Sequence, residues 1–246
     1  MKALAAIKGL GPVDLRNVIR DPLLKWMLLL PLIAALGIRW LVPALLVKLG
    51  GLLQLDLASF YLPLFSYLLI MLAPMIAGML VGFLLLDQKD DLTLTALQVT
   101  PLTITGYLLY RLGSPMLISV VMTFIAFPLA GFPWLGWLPL LAVALLAAPL
   151  APVFALLLGT FASNKVQGFA LAKASGAVLL PPMAAWFMPM PWQLAFGLVP
   201  TYWPAKLYWV YAGTEAYAGL YLLAGLLMQA LLLRLLLVRF DRVTRS

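Results

Sequence analysis

Long stretches without a charged residue constrain this chain more than any other feature of its sequence. They include residues 112–164, 174–205 and 216–233. A helix needs about 20 mostly apolar residues to cross the hydrocarbon layer of a bilayer. Across the whole chain 65% of the residues are hydrophobic and only 10% are charged. Such a chain would aggregate in water, so we expect a protein that crosses a membrane several times.

The apolar sequence divides into six segments that could each span the membrane. A backbone inside lipid must satisfy its own hydrogen bonds, which only helices and closed barrels achieve. The alternation of apolar and polar residues typical of barrels is missing, so the segments are predicted to be helices. The expected spans are 23–47, 60–86, 107–132, 134–162, a fifth that starts near Ala170 and is broken by Pro181 and Pro182, and 217–238. The predicted fold class is an all-α membrane protein with a single transmembrane domain over residues 1–246.

Lysine and arginine residues predict the orientation, because cytoplasmic loops carry more of them than external loops do. With the N-terminus inside, thirteen of the 16 basic residues fall on the inner side. The three on the outer side are Arg39, Lys48 and Lys206. Both termini are therefore expected in the cytoplasm, with the protein in the plasma (inner) membrane. Arg39 is expected to extend its side chain to the outer headgroups.

Several kinds of chemistry are missing from the sequence. It has no cysteine and no histidine, which excludes disulfides and the common zinc sites. It has no GxxxxGK[ST] phosphate loop, so this chain is not expected to bind ATP, and neither a cofactor nor a metal is expected. No acidic residue lies inside a predicted span, which argues against coupling to protons or sodium ions and against an intramembrane enzyme.

The N-terminal segment 1–22 carries charge throughout, which is not the pattern of a cleaved signal peptide. Part of it alternates between an apolar helical face and charged faces. The apolar face holds Leu15, Val18 and Ile19, and the charged residues are Arg16, Arg20 and Asp21. This pattern predicts a short amphipathic helix in the headgroup layer. The alternative is a basic flank that only fixes the topology.

The stretch after the second span, residues 87–106, holds three of the eight acidic residues of the chain. Asp91 could cap a short helix, and Thr100-Pro101 would end it because the residue before a proline avoids the helical region. We interpret this helix as a docking surface for a partner, although an ordinary solvated loop fits the pattern equally well. The candidate contact residues are Asp87, Lys89, Asp90, Asp91, Leu94, Leu97 and Pro101.

Residues 188–215 contain repeated prolines and many aromatic side chains. Tryptophan and tyrosine concentrate at membrane interfaces, and repeated prolines prevent a straight spanning helix. The pattern predicts a re-entrant or interfacial hairpin on the outer side, before the last span. An aromatic belt that only anchors the protein is the alternative.

Small residues recur every four positions in two spans, which allows helix backbones to approach closely in lipid. They are Gly78 and Gly82 in the second span and Ala147, Ala151, Ala155, Gly159 and Ser163 in the fourth. We interpret them as packing faces. The second span also carries a candidate substrate path of flexible side chains, although helix packing is the more common use of such a stripe. Its members are Tyr67, Met71, Met75 and Met79.

Together these features resemble the permease subunits of ABC-2 type exporters. The matching parts are the charged run 87–91, the pairs Thr93-Leu94 and Thr100-Pro101, the entry into the first span at 16–22, and the segment 200–204. The combination is most similar to small permeases for fluoroquinolones or other drugs. The resemblance implies that loop 87–106 forms a coupling helix seated in a groove of an ATPase subunit. It also implies that the second and fifth spans face the transport pathway.

The function expected from this resemblance is that of a transport subunit and not of an enzyme. It would move a hydrophobic or amphipathic compound, drug-like or lipid-like, out of the cell. Its partners would be membrane lipid, a separate ABC ATPase that binds the ATP, and a second permease, identical or related; no nucleic acid is expected. Two alternatives stay open: a haem or cytochrome-biogenesis-type permease with the same six-span plan, and a membrane scaffold that transports nothing.

Overall fold

The computed structural model describes residues 2–54, 56, 58–90, 104–213 and 217–245, with side chains for all but 2–8, 58, 89–90, 104–106, 108–109 and 241–245. All regular structure in these residues is helical. The α-helices are α1 (Lys2–Arg20), α2 (Pro22–Leu36), α3 (Val42–Leu53), α4 (Tyr61–Asp90), α5 (Ile104–Leu129), α6 (Trp137–Ala147), α7 (Leu150–Phe161), α8 (Lys165–Ser175), α9 (Leu180–Trp186), α10 (Tyr202–Ala212) and α11 (Ala218–Arg245). A π-helical turn at Gly37–Leu41 joins α2 to α3, and 3-10 turns lie at Ala58–Phe60, Gly176–Leu179 and Trp192–Leu198.

Six helical segments in the described ranges are long and apolar enough to cross a membrane, which confirms the predicted all-α, six-span fold class. They are Pro22–Leu53, Tyr61–Gln88, Tyr110–Leu129, Trp137–Phe161, Lys165–Trp186 and Ala218–Phe240. The fifth span begins at Lys165 and not near Ala170. The reason is a helix cap: the Oδ1 atom of Asn164 accepts a hydrogen bond from the backbone N–H of Gln167 at 3.0 Å.

The second and fourth spans lie at the centre of the bundle. In these two, 83% and 78% of the most apolar stretch is buried, against 17–28% in the other four. Gly78 lets the central helices approach closely, because a Cβ at this position would lie 2.2 Å from the carbonyl oxygen of Ala151 on α7. Gly82 faces Leu158 in the same way. The predicted packing face is thus confirmed along α7, whereas Ser163 lies beyond its end and is exposed.

The fifth span is interrupted by the 3-10 turn Gly176–Leu179, directly before the two prolines predicted to break it. Proline has no N–H donor, so carbonyls about one turn earlier lose their usual partners. Hydroxyl groups from other segments replace these donors. Thr201 Oγ1 donates to the carbonyl of Val178 at 2.7 Å, and Tyr67 Oη donates to the carbonyl of Leu179 at 3.1 Å. Such replacement is what allows a broken helix to persist in lipid.

Between the fifth and sixth spans the chain forms the 3-10 turn Trp192–Leu198 and then α10, which packs against α4, α6 and α11. We expected Lys206 in an outer loop, but the structure places it within α10 with only 2% of its surface exposed. Its Nζ atom donates to Gln193 Oε1 at 3.3 Å and lies 5.4 Å from the ring centre of Tyr221. The apolar neighbours of Lys206 on α10 are buried against the bundle, so the lysine is buried along with them. A re-entrant or interfacial depth for this segment stays a prediction.

The two ends of the bundle differ in their charged side chains. We call the end where α4 finishes and α8 begins the basal end, marked by Asp87 and Lys165, and the opposite end the distal end. Arg39 marks the distal end: its side chain is exposed, and its Nη1 atom donates to the carbonyl of Leu129, the last residue of α5, at 3.4 Å. A cation next to the C-terminus of a helix is electrostatically favourable. Arg39 itself lies in the π-helical turn within the first span, so its extension towards headgroups stays a prediction.

Candidate functional site

Lys165 is the centre of an ion-pair group at the basal end. Its Nζ atom lies 2.8 Å from Asp87 Oδ1, near the end of α4, and 3.6 Å from Asp21 Oδ2, in the junction between α1 and α2. Asp21 also caps α2, since its Oδ1 accepts from the backbone N–H of Leu23 at 2.9 Å. The side chains of Lys165 and Asp87 are 40% and 30% exposed. Lys165, Asp87 and Asp21 therefore connect the fifth, second and first spans at a surface that water can reach.

A second ion pair lies close by but is buried. Arg111 on α5 holds Asp14 on α1 through two parallel contacts, Nη1 to Oδ2 at 2.8 Å and Nη2 to Oδ1 at 3.3 Å. Tyr110 Oη donates to the same Oδ2 atom at 2.8 Å. The two charged side chains are only 3% and 12% exposed. Paired contacts of this kind fix the orientation as well as the distance of the two groups.

The aromatic residues around Arg111 complete this arrangement. The guanidinium carbon lies 5.6 Å from the ring centre of Tyr107 and 5.7 Å from that of Tyr110. Tyr107 Oη in turn donates to Gln88 Oε1 at 3.0 Å, which ties the start of α5 to the end of α4. A cation over aromatic faces is stabilised further when water is excluded. Arg111 and its neighbours therefore join α1 to the end of α4 and the start of α5, which precede and follow residues 91–103 in the chain.

We call Asp14, Asp21, Asp87, Arg111 and Lys165 together the basal cluster. In the chain, its members precede and follow residues 91–103, where most of the coupling residues were predicted. Asp87 belongs to the cluster directly. Lys89 and Asp90 form the end of α4, with side chains outside the described set. The other predicted coupling residues, Asp91, Leu94, Leu97 and Pro101, lie outside the described residues.

The predicted amphipathic segment is part of α1, and one side of this helix packs against the bundle. Val18 is buried, whereas Leu15 and Ile19, predicted on the same apolar face, are 61% and 56% exposed. The packed side also carries Asp14, four residues before Val18, which reaches Arg111. Arg16 and Arg20 are exposed, and Asp21 is half-buried in the basal cluster. The position of α1 in a headgroup layer stays a prediction.

Sequence reasoning missed Asp14, Tyr110 and Arg111, which lie at the centre of the buried pair. Arg111 was counted only as one of the basic residues that fix topology. A signal was present: an arginine that follows two tyrosines at the start of an apolar span needs an acidic partner if it is to be buried. The partner is 97 residues away in the chain, so spacing alone could not identify it.

The candidate substrate path on α4 lies inside the bundle. Tyr67 and Met71 are 0% and 1% exposed, Met79 is 5% exposed, and Met75 is half-buried. Tyr67 donates to the break in the fifth span, as described above. Within one chain these residues therefore pack against neighbouring helices, and their exposure to a substrate stays a prediction.

Comparison with known proteins places this chain in a family. The family model described as fluoroquinolones export permease protein Rv2686c-like matches residues 14–237. The chain belongs to this permease family. Two curated relatives, the fluoroquinolones export permease proteins Rv2686c and MT2760 of Mycobacterium tuberculosis strains H37Rv and CDC 1551, are each 33% identical to it over 218 residues, covering 85% of this chain and 86% of the relative. No solved structure matches the permease.

The family match includes every member of the basal cluster, from Asp14 to Lys165. It ends at residue 237, within the sixth span. The permease is therefore a multi-pass membrane protein of an exporter family, and the ion pairs at its basal end belong to the part shared with that family. In the described part of the chain, the acidic side chains form no group of three or more that could hold a metal ion.

Proposed function

We propose that this permease is the membrane subunit of an ABC-2 type exporter that moves an amphipathic, drug-like compound out of the cell. A separate ATPase subunit would bind and hydrolyse the ATP, since the chain has no phosphate loop. The relatives are named as fluoroquinolone exporters, which supports a substrate class of flat, partly apolar drug molecules. The open apolar surfaces of the spans are also suited to such compounds.

The observation that carries this proposal is that members of the basal cluster precede and follow residues 91–103 in the chain. Asp87 precedes this stretch and pairs with Lys165 of the fifth span, and Arg111 follows it and pairs with Asp14 of α1. A partner that pulls or pushes the stretch would therefore act on α1, α4, α5 and α8 together. This connection is what an ATP-driven exporter requires, because closure of the ATPase pair must move spans that the ATPase does not touch.

The charges at the basal end support an orientation. The exposed arginines Arg16 and Arg20 and the basic residues of the cluster lie at the basal end, as does Arg239 near the end of α11. By the positive-inside rule we propose that the basal end and both termini face the cytoplasm, with the protein in the inner membrane. An ATPase in the cytoplasm would meet residues 91–103 directly.

The same geometry supports a second permease in the complex, either an identical copy or a related chain. The first, fifth and sixth spans are only 17–22% buried in their most apolar stretches. Lipid can cover such surfaces, but a pathway for a substrate needs protein on both sides. We propose that two permeases face each other across the pathway and that each docks one ATPase.

Copurification with a candidate ATPase tests this function. In one variant Asp90 and Asp91 become asparagine and Leu94 becomes alanine, and in a control Asp56→Asn changes an acid outside the basal cluster. We expect the triple variant to lose the ATPase and drug efflux while the control keeps both. Equal melting curves for the two variants would show that the bundle is intact. If the triple variant still bound the ATPase and exported drug normally, the coupling proposal would be wrong.

A further inference from the structure

An open groove on the exposed surface of α11 carries charges that have no role in the proposed function. It is lined by Arg234, Leu235, Val238 and Arg239 and has a volume of about 360 Å³. All four lining residues belong to α11, so the groove is an open surface of one helix and not an enclosed cleft. Both arginines are exposed, and the two aliphatic side chains lie between them on the same helix. The groove thus combines an apolar floor with a cation at each end.

The depth of Arg234 sets it apart from an ordinary basic flank. Phe240 and Leu85 both contact the region around Gly159, so these two residues lie at a similar level in the bundle. Arg234 precedes Phe240 by six residues, and Asp87 follows Leu85 by two, in the direction of the basal end. At 1.5 Å per residue, Arg234 therefore lies about 12 Å farther from the basal end than Asp87, measured along the helix axes.

The direction of α11 also affects how easily the Arg234 side chain can reach the basal headgroups. Side chains on a helix lean towards its N-terminus, and the N-terminus of α11 is at the distal end. The Cα–Cβ bond of Arg234 therefore points away from the basal headgroups, and its long side chain has to turn back along α11 to reach a phosphate beside Arg239. Lys173 on α8 provides the contrast: it is also exposed and about 12 Å from Lys165, but its helix runs in the opposite direction, so its side chain leans towards the basal end.

A fixed neighbour holds the second arginine at the mouth of the groove. The guanidinium carbon of Arg239 lies 4.9 Å from the ring centre of Phe161, the last residue of α7. This contact limits the rotamers of Arg239 before any ligand binds. From the groove towards the distal end, a ridge of exposed leucines follows the same helix. It consists of Leu220, Leu223, Leu227, Leu231 and Leu235.

We propose that this groove binds an anionic phospholipid. The phosphate would lie between Arg234 and Arg239, where two guanidinium groups could bind its oxygens. One acyl chain would lie along the leucine ridge. The opposite charge would let Arg234 remain in the apolar layer without an uncompensated cation, which is costly there. Basic pockets on the cytoplasmic side of membrane proteins bind lipid headgroups by this chemistry.

Native mass spectrometry of the full-length permease in detergent tests the proposal. Phosphatidylglycerol and phosphatidylcholine with the same acyl chains would be added in equal amounts, and the retained lipid counted. We expect the wild type to retain phosphatidylglycerol preferentially. Arg234→Gln and Arg239→Gln should each weaken that retention about tenfold, as expected for loss of one charge-assisted contact. Arg234→Lys should keep part of it, because the charge remains.

Lys173→Gln is the matched control, because it removes an exposed cation at similar depth from another helix. Retention of phosphatidylglycerol by this variant should equal that of the wild type. Equal retention of the two lipids by the wild type would overturn the proposal, as would equal losses in Lys173→Gln and Arg234→Gln. A variant at Arg234 that changed the number of permease chains per complex, with lipid retention unaltered, would instead assign the groove to a protein contact and refute the lipid site.

Discussion

The buried pair between Asp14 and Arg111 gives a quantitative prediction. Asp14→Asn keeps the size of the side chain but removes the charge that faces the guanidinium. Arg111 is only 3% exposed, and its Nε atom has no hydrogen-bond partner among the described residues. Removing one partner of a buried pair leaves an uncompensated charge and costs about 3–5 kcal/mol. We expect Asp14→Asn to lower the stability of the permease by roughly that amount.

The second arm of this test removes both charges. In the double variant Asp14→Asn, Arg111→Met no unpaired cation remains, so it should be more stable than Asp14→Asn alone. A coupling energy of about 0.5–3 kcal/mol between the two positions would be typical of residues in direct contact. Lys165→Gln is the control within the basal cluster. Its pair with Asp87 is 40% and 30% exposed, so its loss should cost about 1 kcal/mol or less.

The assay is chemical denaturation of purified permease in detergent, followed by the fluorescence of its eight tryptophans. The expected order of midpoints is wild type, then Lys165→Gln, then the double variant, then Asp14→Asn. The reasoning would be refuted if Asp14→Asn and Lys165→Gln shifted the midpoint equally. It would also be refuted if the double variant were no more stable than Asp14→Asn alone, since that would mean that the unpaired cation of Arg111 carries no cost.

Three other predictions follow from the packing and the topology. Gly78→Ala should destabilise the bundle by about 1–3 kcal/mol, because its Cβ would lie 2.2 Å from a backbone oxygen; Gly113→Ala, whose Cβ would meet nothing within 4 Å, is the control in the same denaturation assay. Tyr67→Phe should cost about 1–3 kcal/mol by leaving a carbonyl in the fifth span without its donor, with unchanged midpoints as the contrary result. A reporter enzyme fused after Ser246 should be active only in the cytoplasm, and periplasmic activity would contradict the proposed orientation.

The six spans could be predicted because lipid leaves the chain little choice. Long apolar stretches must become helices when no water is available to the backbone, so the prediction needed no knowledge of contacts. The bounds were less certain where polar residues decide them. Lys165 was predicted to lie before the fifth span, yet the side chain of Asn164 caps a helix that includes it. One side-chain hydrogen bond therefore moved a boundary that hydropathy placed five residues later.

The basal cluster could not be predicted in the same way, since it depends on which helix ends meet in space. Periodicity put Leu15 and Ile19 with Val18 on one apolar face of α1, as a helix in isolation would have them. That pattern does not reveal that Asp14, on the packed side of α1 with Val18, meets Arg111 of α5. The contact depends on how α1 and α5 come together in space.

The two connections between α4 and the fifth span explain how a change at residues 91–103 could reach the middle of the membrane. At the basal end Asp87 pairs with Lys165, and deeper in the bundle Tyr67 donates to Leu179. Between these points α4 stays α-helical, although it contains Pro74, whereas the fifth span changes to the 3-10 turn Gly176–Leu179. Helices bend at prolines and at irregular turns. We therefore expect movement of residues 91–103 to shift α4 and to bend the fifth span at this 3-10 turn, beside the stripe of methionines that the sequence suggested as a substrate path.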